Sequence, residues 1–559
     1  MKTSQLLLFY SRAFVVLLLL QWNAFALYAQ SAGQEKNKRL PINILDNGQG
    51  ESITKDGITL FKFSDHVIFQ HGTDIMYCDT AYLNQQQNSM EAFGNIKIVQ
   101  QNGTTAESDY LSYTGNTKKA YMRGNVALKN ADDNLWTEEL DYNLNTKIGN
   151  YYQGGTLQSG STTVSSTLGT YNAQTKEARF TEEVLVTDTS YNIESRDLGY
   201  NTDSKMMRFF DTSVVYNERS ILHTSSGTYD SKLEIANFYT RSSIQNEEQY
   251  IEGDSLHYNK QTGIGEAYGK VIIHDTTEKA TLFCGRAFGN DKLKTLLAVD
   301  KPVMRKKSES DSMFVRADTF YSAHLVFREE RIAVAPSDSA TAATDTGKKR
   351  RKQTVPREQF QIIRIPDTTS PKYYSGFHHV KIFSDSLQGR CDSICFTGKD
   401  SLILMMQSPI VWSRKSQVTG DTIKAFIDSG KISKIVVPND ALVVSRSGPE
   451  KADIFNQIQG RTLTAYLVNN ELDFAMVRPD AECIYYVTDD AGAYIGVSQS
   501  KSERMKVYFS KGEIDRIFQI QEVDGKLSPL PKVDLRTMRL SRFQWLDKLR
   551  PKELFELFE

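Results

Sequence analysis

Apolar and polar residues alternate with a period of two in short segments that recur along the chain. This period predicts β-strands with one buried face. A glycine just before such a strand either permits a bulge or lets a second backbone approach closely. These segments are rich in Thr, Tyr, Asn and Gly, and their apolar residues show no sustained period of 3.6. Helices are therefore not expected in them. Three of the segments that follow a glycine have their apolar positions at Ile96, Ile98, Val126, Leu128, Val271 and Ile273.

A tyrosine recurs every 29 residues, at Tyr113, Tyr142, Tyr171, Tyr200, Tyr229 and Tyr258. The surrounding unit is Tyr-Asn-x-x-Thr-Lys, as in Tyr142-Asn143 followed by Thr146 and Lys147. Asn and Asp side chains bond to the backbone two residues further on, so the unit predicts a turn between two strands. Units of this length bury their apolar faces by stacking on their neighbours. The sequence therefore predicts an all-β, repetitive, antiparallel stack.

The repeats fall into two blocks, residues 61–332 and 373–525. Between them, 333–372 is rich in Ala, Ser and Thr, which predicts a disordered linker or insertion. Its basic cluster, residues 348–352, is either a solvated charge run or a contact for acidic headgroups or sugar phosphates. In the C-terminal tail, 526–559, apolar residues at helical spacing from Leu540 predict an amphipathic helix that caps the stack or docks a partner.

The first 29 residues combine Lys2 and Arg12 with an apolar run and small residues near Ala29, which predicts a secretory signal peptide. Without cleavage this segment would form a short membrane anchor. Residues 30–60 are interpreted as an N-terminal extension.

The charge balance and the motifs exclude several classes of function. A formal net charge of -1 provides no electrostatic footprint for nucleic acid. The sequence contains no metal, nucleophile or phosphate-loop motif, so neither an enzyme nor a cofactor is expected. Cys391 and Cys395 are interpreted as core residues on one face of a strand, and the pair His378-His379 as exposed.

The export signal, the repeats and the segments Gly94-Asn95-Ile96, Gly124-Asn125-Val126 and Gly269-Lys270-Val271 resemble the organic-solvent-tolerance family. That family includes the OstA-like proteins and the periplasmic lipopolysaccharide-transport protein LptA. The resemblance implies a β-jellyroll folded like a taco, with lipid A acyl chains in its apolar interior. It further implies edge-strand pairing with other jellyroll Lpt-type proteins, a bridge toward an outer-membrane translocon, and a periplasmic location, in association with the outer membrane in some members.

Under this hypothesis, lipopolysaccharide binds to the aliphatic strand residues. The alternative is that these residues, like the tyrosines, simply fill the core. An exported structural or adhesin-type β-repeat protein without lipid cargo is therefore a rival function, and a β-helical polysaccharide lyase or hydrolase is a second. An open apolar interior would favour transport, and a filled core would favour the structural role. The candidate lipid-binding residues are Ile96, Ile98, Val126, Leu128, Val184, Val186, Val271 and Ile273.

Overall fold

The computed structural model describes residues 40–55, 57–277, 279–307, 312–324, 327–334, 359–367, 370–397, 401–428, 431–468, 471–489, 491–510 and 513–558. All regular elements in these ranges are β-strands or short 3-10 helices, so the predicted all-β class is confirmed. Among these residues, no helix has the length and hydrophobicity needed to span a membrane. The predicted signal peptide lies outside the described residues.

The chain divides into two compact units, residues 1–182 and 183–559. This division differs from the two blocks predicted on either side of 333–372. The strands of the first unit are β1 (Asn43–Asp46), β2 (Gln49–Lys55), β3 (Ile58–His71), β4 (Asp74–Asn84), β5 (Ser89–Val99), β6 (Thr105–Thr114), β7 (Lys119–Asn130), β8 (Asp133–Asn143), β9 (Ile148–Tyr151), β10 (Gly155–Ser159), β11 (Thr162–Ser166) and β12 (Leu168–Asn172). Strand β13 (Glu177–Thr187) contains the boundary.

The second unit continues with short strands up to the interruption in the repeat. These are β14 (Asn192–Asn201), β15 (Met206–Phe209), β16 (Ser213–Tyr216), β17 (Ser220–Thr224), β18 (Gly227–Asp230), β19 (Ile235–Phe238), β20 (Ser242–Asn246), β21 (Gln249–Gly253), β22 (Ser255–Asn259), β23 (Ile264–Asp275), β24 (Ala280–Asn290), β25 (Thr295–Val299), β26 (Val303–Lys307), β27 (Ser312–Arg316), β28 (Thr319–His324) and β29 (Phe327–Val334).

After the interruption, the second unit has a further set of strands and five 3-10 helices. The strands are β30 (Gln359–Pro366), β31 (Lys372–Phe383), β32 (Gln388–Thr397), β33 (Leu402–Met406), β34 (Ile410–Ser413), β35 (Ser416–Thr419), β36 (Thr422–Asp428), β37 (Lys431–Val437), β38 (Ala441–Ser447), β39 (Ile454–Gly460), β40 (Thr462–Val468), β41 (Glu471–Arg478), β42 (Ala481–Thr488), β43 (Tyr494–Ser502), β44 (Arg504–Ser510), β45 (Glu513–Ile520) and β46 (Asp524–Pro529). The 3-10 helices are Glu450–Ala452, Leu530–Lys532, Leu535–Thr537, Asp547–Leu549 and Leu554–Leu557.

Six long strands, β3, β5, β7, β13, β23 and β31, bend at their middle, where two consecutive residues have positive φ. In β7 these are Gly124 at 80° and Asn125 at 49°, and the register with β8 shifts between Arg123 and Val126. The left-handed region favours Gly and Asn, which explains the Gly-Asn pairs of the sequence. The side chain of Asn125 donates to Asp109 Oδ2 at 2.7 Å, and a Cβ on Gly124 would lie 2.8 Å from that oxygen. The predicted glycine bulge is confirmed.

The predicted polar turns are also confirmed, with the expected mechanism. The side chain of Asn143 accepts from the backbone N–H of Asn145 at 2.9 Å and of Thr146 at 3.2 Å. Lys147 then adopts a φ of 60°. Asn172 and Lys176 repeat this arrangement one unit later. The repeated motif therefore specifies a turn at one end of every second strand.

The bends divide the strands of each unit into two layers. We call the layer next to the Tyr-Asn-x-x-Thr-Lys turns the motif layer, and the other the opposite layer. In the first unit, a Cβ on Gly149 of the motif layer would lie 3.6 Å from Leu128 of the opposite layer. In the second unit, a Cβ on Gly389 of the opposite layer would lie 3.3 Å from Met405 of the motif layer. The core of each unit thus lies between its two layers.

The predicted linker, 333–372, begins and ends in strand structure. Strands β29 and β30 pair as a two-stranded sheet, and residues 335–358 between them lie outside the described residues. Strand β28 pairs directly with β31, from Thr319 opposite Phe377 to His324 opposite Lys372. The interruption is therefore an insertion in one hairpin of the second unit. The predicted N-terminal extension likewise contains β1, β2 and the start of β3.

The predicted amphipathic helix of the tail is wrong. Residues 530–558 form an extended strap with short 3-10 helices, which packs on the outer face of the opposite layer. The side chain of Gln417, 1% exposed, donates to Gln544 O at 2.9 Å and accepts from Leu546 N–H at 2.8 Å. Gln457 binds the backbone of Met538 and Leu540 in the same way. Backbone groups that a helix would pair internally are therefore bound by buried side-chain amides.

Candidate functional site

The interior of the first unit is an apolar ladder closed to solvent. In the opposite layer, residues paired across successive strands present aliphatic or aromatic side chains to the core, and each is at most 1% exposed. Eight strands at about 4.8 Å spacing extend this ladder over about 34 Å. The members, in order of pairing, are Phe69, Met76, Ile98, Ala106, Leu128, Leu135, Leu157 and Val164.

The two layers meet a second time at the strand ends that lie away from the bends. The tyrosines of the repeat close the interior along this line. We call this line the seam. The hydroxyl of Tyr113 lies 2.7 Å from His71 Nδ1, that of Tyr142 donates to Gln100 Oε1 at 2.6 Å, and that of Tyr171 donates to Asp133 Oδ2 at 2.7 Å. Each pair joins a turn of the motif layer to a turn of the opposite layer, 38 to 42 residues away in sequence. These tyrosines are at most 1% exposed.

The lysines of the repeat reinforce the seam. Lys118 Nζ lies 3.0 Å from Asp74 Oδ2, and Lys176 Nζ lies 3.0 Å from Asp133 Oδ2. Burial lowers the pKa of His71, and the nearby Lys118 lowers it further, against a hydrogen bond to Leu40 O that raises it. His71 is therefore neutral at pH 7. The first unit is closed by buried, mutually satisfied polar groups.

The second unit has an equivalent apolar ladder that is partly open to solvent. Its pairing runs without a polar side chain from Val215 to Val443, and twelve steps of about 4.8 Å give about 58 Å. Val215, Leu222, Ile244 and Ile251 are all partly exposed, as are Tyr229 and Tyr258 of the motif layer. The ladder is Val215, Leu222, Ile244, Ile251, Ile273, Leu282, Met304, Val315, Ile382, Gly389, Val411, Val418 and Val443. We call this surface the trough.

Small residues on the facing motif layer leave room in the trough. Gly265 and Gly289 pair with each other and point the same way as Tyr258. A Cβ on Gly265 would meet nothing nearer than Tyr258 at 3.5 Å, and one on Gly289 nothing nearer than 3.9 Å. Ala287 and Ala298 lie beside them. The motif layer therefore leaves space for an added side chain at these two positions.

The structure places all the predicted lipid-binding residues in the interior, one or three positions after a bend. Ile98 and Leu128 lie on the closed ladder of the first unit, and Ile96 and Val126 lie nearer the bend. In the second unit Val184, Val186 and Val271 are each 1% exposed. Ile273, at 7% exposed, is the one candidate that belongs to the trough ladder. Leu222, Ile244 and Ile251 were missed, because their strands lack the glycine signature.

The other sequence candidates have structural roles. Cys391 is buried in the interior, which raises the pKa of its thiol to about 12. A bend separates it from Cys395, which pairs with Leu404 on the outer face, so the prediction of a common face is wrong. His378 and His379 form a bend and are exposed as predicted, 3.3 Å from Asp392 and 2.7 Å from Asp318, respectively. The basic cluster 348–352 lies outside the described residues.

The comparisons with known proteins support the sequence resemblance. Residues 51–196 match the family model described as OstA-like protein. No curated protein matches the chain significantly. The matched segment includes the glycine bends at Gly94 and Gly124 and the first three tyrosines of the repeat, which are features that build the layers and the seam. Residues 51–196 are therefore similar to OstA-like proteins.

Proposed function

We propose that this chain is a non-catalytic periplasmic protein that binds lipopolysaccharide, shields its lipid A acyl chains and bridges toward the outer membrane. The observation that carries the proposal is the trough, an uninterrupted apolar ladder in the second unit, of whose thirteen members eight are partly exposed. Burying a methylene gains about 0.8 kcal/mol, so an acyl chain of twelve carbons gains about 10 kcal/mol in such a surface. Equivalent successive strands let the chain shift along the trough at little cost.

The two units contribute differently to this function. The closed interior of the first unit supports a rigid structural role, because its apolar residues already contact one another. Strands β45 and β46 are the last two of the second unit. Among the described residues, β45 pairs only with β44 and β46 only with β43, so each strand has one unpaired edge. An unpaired strand edge is a site for strand addition, so we propose that another jellyroll protein of the transport system pairs there, leading to an outer-membrane translocon.

Photocrosslinking in lipopolysaccharide-producing cells tests the cargo. A photoreactive residue at Leu222 or Ile251 is expected to capture lipopolysaccharide, because both side chains face the trough. His223 provides the matched control, since it follows Leu222 in β17 and is exposed on the outer face. Equal capture from Leu222 and His223, or capture from neither trough position, would contradict the proposal and favour the structural β-repeat function.

A filled trough provides a second test. Gly289→Leu places a side chain where a Cβ has no neighbour nearer than 3.9 Å, so the fold is expected to tolerate it. The variant should retain its circular dichroism spectrum and lose capture from Ile251. Undiminished capture would show that lipid does not occupy the space between the layers.

A further inference from the structure

The second unit has two outer faces, and they differ in what covers them. The strap packs on the outer face of the opposite layer, where it contacts Phe455 and Tyr486. On the motif layer, the outward positions of β33, β36, β37, β40, β41, β44 and β45 are partly or fully exposed. Inward neighbours such as Leu463 and Ala465, on either side of Thr464, are buried. This second face is therefore a separate surface from the trough.

The charged residues at the outward positions of this surface are all basic. In each of these strands we consider the stretch that runs from the bend to the bulge beside the turn. None of the outward-pointing residues in these stretches is Asp or Glu. The acidic residues of these strands lie at or beyond the bulges, at the turn end; they are Asp428, Glu471, Asp473, Glu513 and Asp515. We call the surface the basic face. Its cations are Lys424, Lys434, Arg478, Arg504, Lys506 and Arg516.

Aromatic rings form a continuous row across the basic face. The Tyr466 and Phe474 rings stack with centroids 4.6 Å apart, Tyr508 lies 5.9 Å from Phe474, and Phe518 lies 5.7 Å from Tyr508. Tyr466 is 38% exposed and Phe518 is 49% exposed. Contiguous exposed apolar surface of this kind marks interaction sites.

Three of the six cations lie over aromatic rings of the basic face. Lys506 Nζ is 4.4 Å from the Phe474 ring and 4.6 Å from the Tyr508 ring, and Lys434 Nζ is 4.2 Å from the Phe426 ring. In the described part of the chain, neither lysine forms an ion pair with a carboxylate. Arg516 does pair with Asp515, at 2.8 Å, so its charge is partly compensated. The face thus offers positive charge and apolar rings at the same level.

The repeat fold does not itself require such a face. The motif layer of the first unit has a similar aromatic row, in which Phe93 lies 5.3 Å from Tyr110. Its outward positions nevertheless carry both signs of charge, including Glu91, Arg123 and Asp141. The absence of acidic residues is therefore particular to the basic face.

We propose that the basic face is a docking surface for an anionic lipid bilayer. Tyr and Phe rings favour the headgroup level of a membrane, and Lys and Arg beside them bind lipid phosphates. A ligand that offers negative charge alone would use the cations and leave the exposed row of rings without a counterpart, whereas a bilayer offers anionic headgroups and apolar chains together. This surface is separate from the trough, so the proposal goes beyond transport of a lipid in the interior.

Vesicle co-sedimentation of the chain lacking residues 1–29 tests the proposal. We expect binding to vesicles of phosphatidylglycerol and phosphatidylcholine, release by high salt, and little binding to phosphatidylcholine alone. The double variant K434Q/K506Q should weaken binding about 25-fold, since each charge contributes about fivefold. The matched control K97Q/K129Q removes two lysines that flank Glu107 in the first unit, and it should bind as the unsubstituted chain does.

Further outcomes separate the alternatives. Phe518→Ser, at a fully outward position, should weaken vesicle binding without a change in salt dependence. Equal losses for K434Q/K506Q and K97Q/K129Q, or equal binding to neutral vesicles, would overturn the proposal. Binding to polyglutamate with none to anionic vesicles would overturn it in favour of an acidic protein partner. Unchanged thermal melting of each variant establishes that it is folded.

Discussion

Replacing Lys176 by Met should open the seam of the first unit. Lys176 Nζ bonds Asp133 Oδ2 at 3.0 Å and Asn130 O at 2.9 Å, and the Asp133 side chain is 5% exposed. Breaking a buried ion pair costs about 3–5 kcal/mol, because the remaining charge is uncompensated. The Lys176 side chain is 25% exposed and Tyr171 still donates to Asp133, so we expect about 2 kcal/mol. That corresponds to a decrease in Tm of about 4–8 °C.

Hydrogen exchange measured by mass spectrometry localises this effect. Peptides that contain residues 130–135 and 171–176 should lose protection in Lys176→Met, while peptides of the second unit should not. Lys119→Met removes an exposed lysine and should leave exchange unchanged. Adding Asp133→Asn to Lys176→Met should recover most of the loss, since no buried charge remains. Unaltered protection at the two seam segments in Lys176→Met would refute the assigned role of the seam.

Three further predictions concern other parts of the fold. Gly124→Ala should destabilise the chain by about 1–3 kcal/mol in thermal melts, because φ is 80° and the Cβ approaches Asp109; equal stability would show that the bend can relax. Because burial depresses the pKa of His71, its contribution to stability is present above pH 6.5 and is lost as the pH falls below that value; melts from pH 7.5 to 5 should show this loss, which His71→Gln removes. Gln417→Leu leaves two backbone groups of the strap without partners, so limited proteolysis should cleave residues 530–558 first, and an equally resistant strap would contradict the anchoring role.

Local features of the fold could be predicted from the sequence because their causes are local. The turn after Tyr142 depends on Asn143 bonding backbone two and three residues away, and the bend at Gly124 depends on a backbone conformation that few residues adopt. Alternation of apolar residues defined strands such as β7. Each of these features is encoded within about ten residues, so one copy of the repeat suffices to predict it.

Features that depend on distant residues could not be predicted in this way. Leu128 and Leu222 look alike in the sequence, yet one is sealed and the other partly exposed. The seam that closes the interior around Leu128 is formed by residues about 40 positions apart. The spacing of Leu540 and Phe543 suits a helix, but Gln457, more than 80 residues away, binds the backbone there. The contacts of a long-range side-chain amide leave no periodic pattern to detect.

The recurrence of one bend and one motif turn in every 29 residues has a consequence for how such a chain changes size. One repeat contains two antiparallel strands, so inserting or deleting a whole repeat restores both the direction and the facing of every strand that follows. The length of the stack would then change in steps of about 9.6 Å, twice the strand spacing, while the strands at its two ends keep their structure. Duplication of a short stretch of coding sequence is thus enough to lengthen the stack by two strands.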